Sequence, residues 1–179
     1  IALDGDGERK GGVAEDLPVE ITVDRDLSPE LAKQNFTVSP LPTAITEGLA
    51  TYLNDFPYGC TEQVVSQTIP SLILTGKLAP PGAVQRAQTA HEQLLNILRR
   101  RQTSGGGFKL YDEGNEASAP ATLYAISYLI EAKDRQLPIP SDMEAQIINY
   151  LRSKTLRSDA NYYDLRAFAQ VMYLQARMG

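Results

Sequence analysis

Cys60 and Gln63 stand three residues apart, and Cys60 is the only cysteine in the chain. A thiol and a side-chain amide at i and i+3 meet across one turn of helix. If the two condense with loss of ammonia, the product is an internal thioester between the Cys60 sulfur and the Gln63 side-chain carbonyl. Such a bond is a stored electrophile, open to one attack by an amine or a hydroxyl with the thiolate leaving. The plainer reading is that Cys60 is a small buried hydrophobe at a helix start, as unpaired cysteines often are.

A glutamine amide is inert unless a thiol is held against it, so the turn that carries the pair has to be preorganised. Pro57 fixes one backbone dihedral and Gly59 frees another. N–H groups at a helix start favour negative charge on the Cys60 sulfur. The apolar pattern places the pair there: Val64, Val65, Ile69, Leu72 and Ile73 predict a helix from Cys60 to about Thr75, with Pro70 as a kink. Before it, Ile45, Leu49, Tyr52 and Leu53 draw a first helix, ended by Asn54 and Asp55.

Four more helices follow. A third runs from about Gly82 to Gln102, with Val84, Ala87, His91, Leu94, Leu95 and Leu98 inward and Arg99, Arg100 and Arg101 at its end, where cations complement the dipole. Gly105, Gly106 and Gly107 stop it. The fourth, Ala121 to Lys133, reads as mostly buried. Ser141, Asp142 and Glu144 open a fifth that carries Met143, Ile147, Ile148 and Leu151. Asp159 caps a sixth, with Tyr162, Leu165, Phe168, Ala169 and Met172 on one face.

Residues 1–38 differ in kind. Glycine and charge are dense from Asp4 to Gly12, and Leu17, Val19, Ile21 and Val23 then alternate with Pro18, Glu20 and Thr22 as in a half-buried strand. The chain is therefore expected to divide into a linker and β segment of a preceding domain over 1–38 and a helical array over 39–179. Its 179 residues suffice for a sizeable core.

The run Phe56, Pro57, Tyr58, Gly59, Cys60, Thr61, Glu62, Gln63 resembles the thioester motif of the α2-macroglobulin and complement family, whose core is Gly, Cys, any residue, Glu, Gln. The aromatic, Pro, Tyr lead-in is similar to the bacterial branch, where the first aromatic is often Tyr and here is Phe56. The loop from Gln102 to Phe108 with the helix after it resembles the Gly-Gly-Phe segments of α/α-toroid proteins, which include thioester domains and terpenoid cyclases.

The resemblance implies an all-α fold, part of an α/α toroid of helical hairpins, truncated near Gly179 and preceded by the short β segment. It implies a thioester shielded from water, with Phe56, Pro57, Tyr58, Gly59, Glu62 and Tyr52 as supporting or shielding residues. Glu62 reads equally well as an ordinary first-turn acid. The family's hydroxyl-directed members use a histidine well downstream of the cysteine. The only histidine here is His91, one helix after the motif and among apolar positions, so a structural histidine and attack by lysine amines are expected.

On the same footing the chain is a fragment of a bacterial α2-macroglobulin, a single-use protease trap rather than an enzyme. Its expected partners are target proteases, coupled covalently through lysine, and a peptidoglycan-synthesising penicillin-binding protein. Its expected location is the periplasm of a Gram-negative bacterium, in a lipoprotein parent. Two other readings stand beside this one: an α/α-toroid enzyme of terpenoid-cyclase type, for which no paired-aspartate run is present, and a helical interaction module with an unreactive cysteine.

Bulk properties narrow the field. The net charge of −5 argues against a nucleic-acid surface. One cysteine and one histidine make no zinc site of the usual spacing, so no metal or cofactor is expected. One cysteine also gives no internal disulfide, which removes the usual clue to compartment. The chain opens on Ile1 with no charged-then-apolar signal region and is expected to be a processed or excised piece.

Overall fold

The computed structural model describes residues 52–53, 59–75, 81–156 and 158–179. The expected strand region over 1–38 and nearly all of the expected first helix lie outside these residues, although Tyr52 and Leu53 are helical. Among the described residues there are five helices: α1 Thr61–Ile73, α2 Ala83–Arg101, α3 Ala119–Asp134, α4 Ser141–Arg152 and α5 Tyr162–Met178. The one extended pairing among them is an isolated antiparallel bridge between Gln102 and Phe108.

The packing order shows the architecture. α1 packs on α3 and α3 on α5, so alternate helices form one row; α2 packs on α1 and α4 on α5 as a second. Two rows of alternating helices are the local pattern of an α/α toroid. α3 holds the middle and is buried nearly all round, from Ala121 to Ala132, as a central helix must be. Leu94 and Leu98 of α2, Met143, Ile147 and Leu151 of α4 and Leu174 of α5 complete a core around Ile126 and Leu129.

Boundaries follow local chemistry. α1 continues through Pro70 to Ile73. Ser118 caps α3, its side chain accepting from Ala121 N–H, with Pro120 in the first turn, where a missing N–H costs nothing. α5 starts two residues later than the Asp159 cap expected. Asn161 accepts from the N–H groups of Tyr163 and Asp164 at 2.8 and 3.1 Å, and the Asp164 carboxylate accepts from Asn161 N–H at 3.0 Å. Reciprocal satisfaction of several orphan donors favours that start.

Two inward faces differ from expectation. Val84 is exposed and Ala83 buried, because the α2 stripe runs through Ala83, Ala87, His91, Leu94, Leu98 and Arg101. In α5 the expected face of Tyr162, Leu165 and Met172 is exposed, Ala169 also lies on the surface, and Phe168 is only partly buried; Val171 and Leu174 are buried instead. Apolar residues surround this helix, so its phase is decided by neighbours: Gln175 donates to the Leu151 carbonyl at 2.7 Å, and Arg177 pairs with Glu131 and Asp134 of α3.

At the surface, Arg99 forks onto Asp142 at 2.6 and 3.1 Å, tying the end of α2 to the start of α4. The Arg99 hydrogen bonds hold the Asp142 carboxyl down at about 2, against an ordinary value of 3.8. The pair's contribution is therefore complete above the ordinary value and is lost as pH falls through about 2. An NMR titration of the Asp142 carboxyl should show that depressed midpoint, and Arg99→Gln should return it toward the ordinary value.

Candidate thioester site

Cys60 is the N-cap of α1, with extended backbone at φ −67° and ψ 162°, and is buried. Gln63 is the third residue of the helix. The two form a reciprocal capping box: the Cys60 side chain receives the Gln63 backbone N–H, and Gln63 Oε1 accepts the Cys60 N–H at 3.0 Å. Only the oxygen of an amide can accept that N–H, so the bond fixes which end of the Gln63 side chain faces the turn. The thiol and the amide carbonyl expected to meet are thus held on one turn.

The turn is anchored from far along the chain. Thr61 N–H donates to the Leu110 carbonyl at 2.8 Å, and its hydroxyl donates to the Lys109 carbonyl at 2.5 Å. Arg101, at the end of α2 and only 7% exposed, spreads over both neighbours of Cys60. Its Nη2 donates to the Gly59 carbonyl at 2.7 Å and its Nη1 to Thr61 Oγ1 at 3.2 Å. Asp112 receives Arg101 Nε at 2.6 Å, and this hydrogen bond holds the Asp112 carboxyl below its usual range. The helix packing is reinforced by Ser66 Oγ and Tyr124 OH, 3.0 Å apart between α1 and α3.

Residues 102–112 are therefore part of the site. Phe108 is fully buried, its N–H donating to Thr122 Oγ1 at 2.8 Å and its carbonyl accepting Ser118 N–H at 2.9 Å. Thr103 N–H and the Gly107 carbonyl, and Gly106 N–H and the Thr103 carbonyl, close the loop on itself at 2.8 and 2.9 Å. A flexible connection would not be bonded this way. The Gly-rich loop and the cysteine turn, 40 and more residues apart, meet through Thr61, Leu110 and Arg101.

The other expected site residues fall out as follows. Phe56, Pro57 and Tyr58 lie outside the described residues. Among the described residues no atom lies within 4 Å of a would-be Cβ on Gly59. What it supplies is its carbonyl, to Arg101. Glu62 is an exposed first-turn acid, as its plain reading had it. Tyr52, expected in the shield, is 62% exposed, while the neighbouring Leu53 carbonyl accepts Gln67 Nε2 at 2.8 Å.

His91 is a core residue, 1% exposed. Its Nε2 faces the Pro138 carbonyl at 3.0 Å and so carries the proton; Nδ1 accepts from Tyr128 OH at 3.1 Å. Burial pushes the Tyr128 hydroxyl pKa up, keeping it a donor. Both ring nitrogens are committed to the fold. His91→Leu should cost about 1–3 kcal/mol in denaturant unfolding, chiefly for the buried Tyr128 hydroxyl left without a partner, and should leave amine coupling at Gln63 unchanged.

Sequence reasoning missed Arg101, Thr61 and Asp112. The signal for Arg101 was its phase: it continues the inward stripe of Leu94 and Leu98, whereas Arg99 and Arg100 leave it.

Alternating helical rows with a Cys–Gln turn at a helix start define a segment of an α/α toroid. No family model matches the chain, but curated relatives do. The alpha-2-macroglobulin of Rickettsia conorii is 32% identical over 171 residues, covering 91% of this chain and 9% of the relative. An alpha-2-macroglobulin homolog of Yersinia pestis is 33% identical over 158 residues, 87% of this chain and 8% of the relative. Among solved structures, native alpha-2-macroglobulin from Escherichia coli, from domain MG7 to the C-terminus, matches with TM-score 0.57 and 21% identity over 77% of this chain and 23% of that one, a likeness of fold. The chain belongs to the alpha-2-macroglobulin family, and it spans less than a tenth of the length of these curated relatives.

Proposed function

We propose that this chain is the thioester-bearing segment of a bacterial protease trap, with the helical array beginning at residue 39 and residues 1–38 belonging to a preceding domain. The observation that carries the reading is the Cys60–Gln63 capping box, which holds the buried thiol and the part-buried amide carbonyl on one turn. Condensation joins Sγ to the Gln63 carbonyl carbon and releases ammonia, which takes up the thiol proton. A lysine amine of an attacking protease then adds to that carbon, the C–S bond breaks, and the products are an isopeptide at Gln63 and a free Cys60 thiol. The chemistry runs once per molecule, so the segment is an inhibitor and not an enzyme.

Amines are the preferred nucleophiles because His91, committed at both ring nitrogens, offers no base to a hydroxyl. In competition at equal concentration, methylamine should couple to Gln63 faster than glycerol. Faster glycerol coupling would overturn the amine preference. Mixing the full-length protein with a broad-specificity protease should give a covalent adduct whose peptide map contains a lysine–Gln63 isopeptide.

Membership of this family carries three further proposals: a periplasmic setting, a lipid-anchored parent, and proximity to a peptidoglycan-synthesising penicillin-binding protein. For the cyclase-type reading the sequence offers no paired-aspartate run.

A further inference from the structure

We propose that Arg101 is a positioning residue for the thioester chemistry, acting through the Gly59–Cys60 peptide on the hydrogen bond that holds the Gln63 carbonyl. The inference rests on the thioester reading and deepens it. Three groups stand in series: the Arg101 guanidinium donates to the Gly59 carbonyl at 2.7 Å, and the N–H on the other side of that peptide, Cys60 N–H, donates to Gln63 Oε1 at 3.0 Å. A cation on a peptide oxygen draws electron density away from the nitrogen and makes the N–H a stronger donor. The cation is held for this purpose. Its Nε is bonded to Asp112, its Nη1 to Thr61, and the side chain is 8% exposed, so its charge is little screened by water.

The Gln63 oxygen is where charge develops twice. When Cys60 sulfur adds to the amide carbon, the C=O bond opens and Oε1 becomes an oxyanion; when the oxyanion collapses, the C–N bond breaks and ammonia leaves with the former thiol proton. When an amine later attacks the thioester, the same oxygen carries the negative charge before the C–S bond breaks. One preorganised donor at that oxygen lowers both barriers, and Cys60 N–H is already in place. Arg101 touches neither sulfur nor carbonyl carbon; it sets the strength and direction of the donor that does. The fork of a guanidinium is required, since one atom must reach the Gly59 carbonyl while another holds Thr61.

The test uses the full-length protein as wild type, Arg101→Met, Arg101→Lys and Asp112→Asn. Each is read by intact mass for the cross-link, by the rate of labelled methylamine uptake at Gln63, and by isotope-edited infrared of the thioester carbonyl. A role confined to folding would not move that band among variants whose circular dichroism matches wild type. Expected are methylamine uptake about tenfold slower in Arg101→Met, a smaller loss in Arg101→Lys, about threefold in Asp112→Asn, and a carbonyl band moved to higher wavenumber in the same order. Asp112 is half-exposed, so Asp112→Asn keeps the comparison decisive if Arg101→Met does not fold.

A wild-type cross-link with unchanged rate and carbonyl band in folded Arg101→Lys and Asp112→Asn would overturn the role of Arg101 and leave the thioester standing. A wild-type protein of full sequence mass would instead overturn the thioester reading itself.

Discussion

Cys60→Ser protein will take up no labelled methylamine at residue 63, yet will unfold at a denaturant concentration close to that of wild type. Serine keeps the geometry that cysteine has here. It is among the preferred N-cap residues, and its hydroxyl can accept the Gln63 N–H that the Cys60 side chain now receives, so α1 keeps its start or gains up to about 1 kcal/mol. Gln63 Oε1 keeps its bond to the backbone N–H of residue 60. What disappears is the sulfur: a hydroxyl ionises far less readily than a thiol and does not displace ammonia from an amide under mild conditions. Peptide mapping after exposure to labelled methylamine, with unfolding measured alongside, separates lost chemistry from lost structure. Label at Gln63 of the serine variant would mean that the amide reacts without Cys60.

The second large effect lies in the glycine loop. Gly106→Ala should destabilise the protein by about 3 kcal/mol or more, the sum of a left-handed backbone and a steric clash. Gly106 has φ +84°, and a Cβ there would sit 2.0 Å from the Gln146 carbonyl oxygen and 2.7 Å from its carbon. Both are backbone atoms of α4, which cannot turn aside as a side chain would. At Gly107 the φ is ordinary, but a Cβ would lie 2.5 Å from the Tyr150 ring and 2.7 Å from Ala117 Cβ. The consequence reaches the Cys60–Gln63 turn, because the loop that would be displaced supplies the Lys109 and Leu110 carbonyls to Thr61. Gly106→Ala should therefore show both a lower unfolding midpoint and a smaller cross-linked fraction by intact mass. The control is Gly114→Ala, where a Cβ would meet nothing within 4 Å among the described residues, and which should cost only its left-handed φ of +89°.

The meeting of Cys60 and Gln63 on one turn could be anticipated from the chain because it is local. Three residues separate Cys60 from Gln63, and the apolar spacing after them fixes the helix on which they meet. Helix extents were legible for the same reason: the expected Gly82 to Gln102 and Ala121 to Lys133 became Ala83–Arg101 and Ala119–Asp134. The support of the site was not local. Arg101 reaches Gly59 across 42 positions and Thr61 across 40, contacts that no periodicity announces. Read as one of three arginines at a helix end, it had a dipole to complement. In the fold the three separate, Arg99 going to Asp142, Arg100 to the surface beside Asp112, and Arg101 inward to the Cys60–Gln63 turn.

The inward face of α5 failed for a different reason. Tyr162, Leu165, Phe168 and Met172 make as good an apolar stripe as Val171, Leu174 and Met178, and hydrophobicity alone cannot rank them. Anchors on α3 and α4 decide the rotation, and they lie outside the helix. The start of α5 turned on a similar point, since Asp159 and Asn161 are both good cap types and Asn161 has Asp164 three residues on to complete the box.

The most direct measurement is the intact mass of freshly purified full-length protein, taken with a thiol titration under denaturing conditions before and after methylamine. A Cys60–Gln63 thioester predicts a mass about 17 Da below that of the sequence, no titratable Cys60 thiol before treatment, and one such thiol released as methylamine is taken up at Gln63. A mass equal to that of the sequence, with the Cys60 thiol titratable from the outset, would contradict it.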